Sequence, residues 1–119
     1  MNSEFPTPEE LIDLFDGKPA VLDPKVPWLY NTLDFTTSRD AVEVHTRIVP
    51  SSGQLTVRLL LAGNELALFE LRDAKDLRVV TDGEREMLVT KFAPERRLAD
   101  FVLQLKPYIR ISWGNLPLA

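Results

Sequence analysis

No cysteine occurs anywhere in the 119 residues, and that absence removes disulfides, thiolate metal sites and a cysteine nucleophile together. Small secreted domains lean on disulfides for stability, so a chain without them points to a reducing, cytoplasmic setting. Histidine is almost as scarce, with His45 alone. One imidazole and no thiolate leave a structural zinc site short of its preferred ligands. Glycine occurs five times, and no glycine-rich phosphate loop follows an extended segment, which argues against nucleotide binding by the familiar loops. Carboxylates are common, yet no Asp-x-Asp calcium loop is formed. No cofactor or metal is therefore expected. Apolar runs such as Leu59-Leu60-Leu61-Ala62 are far shorter than the ~20 residues that span a bilayer. The start, Met1-Asn2-Ser3-Glu4, has neither the basic end nor the apolar stretch of a secretion signal.

What is present is an ordinary globular mixture, 45% apolar and 27% charged, long enough to bury its own core. Net charge is −4, which disfavours nucleic acid as a partner because phosphate contacts need a basic face. The acidity is concentrated early. Residues 1–46 hold three basic groups (Lys18, Lys25 and Arg39) against nine acidic ones, whereas the remainder is nearly balanced.

Thr7-Pro8-Glu9-Glu10 has the features of a helix start: an N-cap threonine, proline in the first turn and a glutamate placed for a capping box. Leu11, Ile12, Leu14 and Phe15 fall on one arc, and Glu9, Asp13 and Asp16 on the opposite one. Gly17 is placed to end the helix in a left-handed conformation. Prolines at 19, 24 and 27 then interrupt the chain.

From Trp28 onward the hydrophobic period becomes two. Val42, Val44, Thr46 and Ile48 alternate with Glu43, His45 and Arg47. Turn signals recur about every ten residues, at Pro50-Ser51-Ser52-Gly53, Gly63-Asn64, Asp73-Ala74-Lys75-Asp76 and Asp82-Gly83. Connections this short join antiparallel neighbours. Strands are expected near 28–36, 41–49, 54–62, 65–72, 76–81 and 85–92. Beyond Pro94, Leu98, Phe101, Val102 and Leu105 follow a helical spacing, and Lys106-Pro107 would close that helix. A last strand, Tyr108 to Trp113, follows it. The expected fold is α+β: an antiparallel meander of about six to seven strands with an N-terminal and a C-terminal helix packed on it. It would form one domain over 1–119, with the first helix and irregular connection in 1–27, the meander in 28–92, and the helix and final strand in 93–119.

Two-residue loops at Ser38-Arg39, Ser51-Ser52 and Gly63-Asn64 would gather Val42, Val44, Leu59, Leu61, Leu66 and Leu68 on one sheet face. The other face then reads Asp34–Glu43–Leu60, Thr32–His45–Arg58 and Tyr30–Arg47–Thr56, followed by Ala67, Phe69 and Leu71. That second face is either covered by the C-terminal helix in its apolar half or left as a groove rimmed by Tyr30, His45, Arg47 and Arg58, able to take a peptide or small anionic ligand. The serines lack a nucleophile-elbow context, so a triad on His45 is not expected. An opposed Asp34–Glu43 pair is a conceivable acid–base couple, although like charges across a strand pair are destabilising.

Two functional readings follow. The first is a non-enzymatic interaction module, such as an accessory, inhibitor or immunity-type protein, that meets a basic partner through Glu9, Asp13 and Asp16. The second is a ligand-binding or weakly equipped enzymatic domain using Tyr30, His45, Arg47 and Arg58. Pairing of exposed sheet edges into a homo-oligomer is compatible with either.

Overall fold

The computed structural model describes residues 5–114. Met1 to Glu4, including the first acidic residue, lie outside the described residues. The described chain is one helix and nine strands in two antiparallel sheets, forming two units of residues 15–72 and of residues 5–14 with 73–114.

The helix, α1, runs over Pro8–Phe15. Its capping box forms as the residue types require: the Thr7 amide donates to Glu10 Oε1 at 2.9 Å, and the Glu10 amide donates to Thr7 Oγ1 at 3.2 Å. Leu11 and Leu14 are fully buried. Asp16 takes the left-handed conformation after the last turn, at φ 57°. The expectation that Gly17 does so is therefore corrected by one position, an aspartate being among the residues that tolerate that region.

In the unit of residues 15–72, five consecutive strands form a meander: β1 (Ala20–Val21), β2 (Leu33–Arg39), β3 (Val42–Val49), β4 (Gln54–Leu61) and β5 (Asn64–Leu71). Alternate residues point inward. Leu33, Phe35, Val44, Ile48, Leu55 and Val57 are at most 2% exposed and make the core. Phe15 stacks on Phe35 with centroids 4.3 Å apart, and its carbonyl accepts the Thr37 hydroxyl at 3.0 Å. Between β1 and β2 the chain makes a 3₁₀ turn at Trp28–Tyr30, in place of the expected strand.

The other unit holds the second meander: β6 (Ala74–Asp82), β7 (Arg85–Phe92), β8 (Phe101–Lys106) and β9 (Arg110–Ser112). Its core is Leu77, Leu88, Phe92, Phe101, Leu103 and Leu105. In the same unit, Lys106 of β8 donates to the Asp13 carbonyl in the last turn of α1 at 2.7 Å, where a cation also opposes the helix dipole.

The expected C-terminal helix is not formed; β8 stands there. Helical spacing buries Phe101, Val102 and Leu105 but leaves Leu103 on the wet arc. A strand buries Phe101, Leu103 and Leu105 together, each 0% exposed, and satisfies the second edge of β7. Tertiary pairing overrides the local period. Strand number is corrected with it, from six or seven in one sheet to nine in two, while the α+β class and the antiparallel meander hold in broad outline.

Candidate functional site

The outer face of the first sheet gathers most of the polar residues singled out from the sequence. His45 and Arg47 project from β3 and Arg58 from β4, with His45 directly opposite Arg58 and Arg47 opposite Thr56 as the loop Pro50–Gly53 dictates. The β2–β3 register is displaced from expectation, because Arg39 pairs with Val42 and the loop is Asp40-Ala41. Thr36 therefore faces His45, and Asp34 faces Arg47. The proposed Asp34–Glu43 carboxylate couple does not exist: Glu43 lies opposite Ser38. Tyr30 sits on the 3₁₀ turn, 71% exposed, away from that row.

A second correction concerns β5. The turn is Ala62-Gly63, both left-handed (φ 50° and 82°), and Leu61 pairs with Asn64. This is the geometry of a tight two-residue hairpin. Leu60 pairs with Glu65 and Leu59 with Ala67, so Leu66 is an extra residue in a bulge. The shift turns Phe69 and Leu71 inward against Val57 and Leu55, and Leu68 and Glu70 outward beside Arg58 and Thr56. A one-residue slip exchanges the two faces of a strand.

The outer face holds an open depression of about 450 Å³. Thr36, His45, Arg47 and Arg58 line it together with Asp34, Thr56, Leu68 and Glu70. Its cations are already engaged. Arg47 makes a two-pronged pair with Asp34, at 2.7 and 3.1 Å, and the hydrogen bond and the charge of Asp34 hold its pKa above the ordinary value. Arg58 pairs with Glu65 at 3.0 Å, and His45 Nε2 lies 2.7 Å from Glu43 Oε1. These side chains are all about half exposed, so each pair contributes at most ~1 kcal/mol. Four carboxylates (Asp34, Glu43, Glu65, Glu70) against two guanidiniums (Arg47, Arg58) leave this face at −2, His45 not counted. Such a face suits a basic protein surface better than an anion.

The acidic residues of α1 are placed less uniformly than their spacing implies. Glu9 and Asp13 are exposed on the helix, one turn apart. Asp16 stands beyond it and pairs with Arg39 at 3.3 Å.

One structural residue escaped the sequence reading. Asn31 is 4% exposed and organises the loop before β2. Its Oδ1 accepts from the amides of Asp23 and Thr32, and its Nδ2 donates to the carbonyls of Asp23 and Val26. The loop so fixed presents Leu22, Leu29 and Tyr30, each more than half exposed. The only sequence signal was an asparagine among prolines.

Among the described residues, no cluster of three or more histidines, aspartates or glutamates is arranged to hold a metal, and no helix is long and apolar enough to cross a membrane.

No family model and no curated protein matches the sequence. Among solved structures, the fold is similar to a chain of the contact-dependent growth inhibition toxin–immunity protein complex from Klebsiella pneumoniae 342. The TM-score is 0.82 at 13% sequence identity, over 94% of this chain and 96% of that one. At this identity, the likeness is one of fold.

Proposed function

We propose that this chain is an immunity-type protein, a non-enzymatic binding module that neutralises a toxin by forming a complex with it. The observation that carries the reading is the match of fold along nearly the whole of both chains to a member of a toxin–immunity pair. The immunity side of such a pair is the side supported by this chain's chemistry. Its one histidine is engaged with a neighbouring carboxylate on an open face, and its net charge of −4 suits a basic partner. A cysteine-free chain suits action in a reducing cytoplasm.

Within this reading, Glu9 and Asp13 on α1, with Asp16 just beyond, steer a basic toxin toward the complex. Complementary charge acts mainly on the association rate and on orientation. Co-expression tests the proposal: cells producing the partner toxin domain should grow when the chain is present and stop when it is not, and the two proteins should co-purify. Protection without a complex, or a complex without protection, would refute it.

A further inference from the structure

We propose that the free edge of β5 docks an extended segment of the partner protein in which basic and apolar residues alternate, adding a sixth strand to the first sheet. The partner's identity as a toxin rests on the reading above; the strand site itself rests on the following observations.

The two sheets have four outer edges. β1 and β9 are two and three residues long, too short to template much pairing. β6 carries Lys75, Asp76 and Arg78 and an irregular register at Ala74–Asp76, and Phe5 and Pro6 line a hollow beside Leu77 and Val79. Charges, irregularity and cover are the usual protections of an edge. β5 has fewer of them. It is eight residues long, NELALFEL, with no proline, lysine, arginine or glycine, and among the described residues it pairs only with β4. The bulge at Leu66 perturbs one end, but Ala67–Leu71 run regularly against Leu55–Leu59. Leu66 and Leu68 are 60% and 42% exposed.

Charge selects the occupant. The ionisable residues of β5 are Glu65, held by Arg58, and Glu70, which faces the depression and has no ion-pair partner among the described residues. A second copy on the same edge would bring four carboxylates into one seam with no basic residue from either strand. A basic segment meets them instead. Successive side chains of an added strand point to opposite faces. Those on the outer side would lie beside Leu68 and Glu70 and favour lysine or arginine; those on the inner side would lie beside Ala67 and Phe69, both half-buried, and favour apolar residues. Main-chain hydrogen bonds supply affinity in such strand addition, and the alternating side chains supply specificity.

The test is a titration of the isotope-labelled chain with the capped peptide Lys-Val-Lys-Val-Lys-Val-Lys, followed by amide NMR shifts. Saturable shifts centred on Ala67–Leu71 and the facing residues of β4 are expected, with Kd near ~0.1–1 mM. Glu70→Lys should weaken the peptide about fivefold, the scale of one exposed charge pair, and Glu70→Gln serves if the lysine variant loses its dispersed spectrum. Glu9→Lys with Asp13→Lys should leave the Kd within about twofold. Three results would overturn the proposal: shifts centred on α1, shifts that do not saturate, or equal binding of the glutamate analogue of the peptide. Concentration-dependent shifts at β5 without peptide would assign the edge to a second copy and overturn it too. No toxin is present in this titration, so its failure leaves the immunity reading standing, and failure of the growth test leaves the strand site standing.

Discussion

Shortening Leu103 to alanine distinguishes the strand at 101–106 from the helix its spacing suggests. Leu103 is 0% exposed, lies directly opposite the equally buried Leu88 on β7, and faces Ile111 across β8–β9. The change deletes three carbons. At ~0.8 kcal/mol for each buried methylene, the transfer contribution alone is about 2.4 kcal/mol. A cavity that the flanking strands cannot fully close adds to it, within the ~2–5 kcal/mol range of buried Leu→Ala changes. Val102→Ala, on the half-exposed alternate face, should cost less than ~1 kcal/mol by the same area reasoning. Urea denaturation followed by tryptophan fluorescence reads both. Trp113 packs on Phe92 and Phe101 in the same sheet, and a Trp28→Phe background isolates its signal. Leu103 should shift the midpoint strongly and Val102 weakly, with m unchanged. If Val102→Ala costs as much as Leu103→Ala, the helical face is the buried one and the strand assignment fails.

Three further outcomes are expected. Thr46 is 1% exposed and its hydroxyl has no hydrogen-bond partner among the described residues, so Thr46→Val should be neutral or stabilise by up to ~1 kcal/mol in the same denaturation assay; a loss above that size would mean the hydroxyl has a partner. Asn31→Ala leaves two amides and two carbonyls of the 23–32 loop without their side-chain partner. It should cost about 2–3 kcal/mol and speed hydrogen exchange at Asp23 and Thr32, and unchanged exchange there would contradict the pinning role. Reversing Glu9, Asp13 and Asp16 to lysine should slow association with a basic partner about tenfold at low salt and much less at 0.5 M, where charges are screened within ~5 Å; stopped-flow rates equal to wild type at low salt would remove the steering role.

Local chemistry carried some parts of the fold into the sequence unambiguously. Thr7 and Glu10 form the predicted box because both bonds close within four residues. The β3–β4 register was legible because Pro50 and Gly53 confine the turn, and His45 therefore meets Arg58. Elsewhere the decisive facts are long-range. Moving the β2–β3 turn to Asp40-Ala41 displaces the pairing by an even number of residues, so Asp34 keeps its outer face but meets Arg47 instead of Glu43. A repulsive pair becomes an attractive one. At β4–β5 the slip is odd. Leu66 and Leu68, read as inward, are exposed, because the turn uses left-handed Ala62-Gly63 and a bulge absorbs the extra residue. Neither device has a sequence signature beyond the glycine. At 98–105 the apolar residues satisfy both periods, and only the unpaired edge of β7 decides between them.

Growth under co-expression tests the central claim most directly: the chain is produced together with a toxin domain that co-purifies with it, and colony counts are compared with and without the chain. Restored growth accompanied by a 1:1 complex on size-exclusion chromatography is the result the account predicts. Equal killing in both cultures, with the chain folded and abundant, would contradict it.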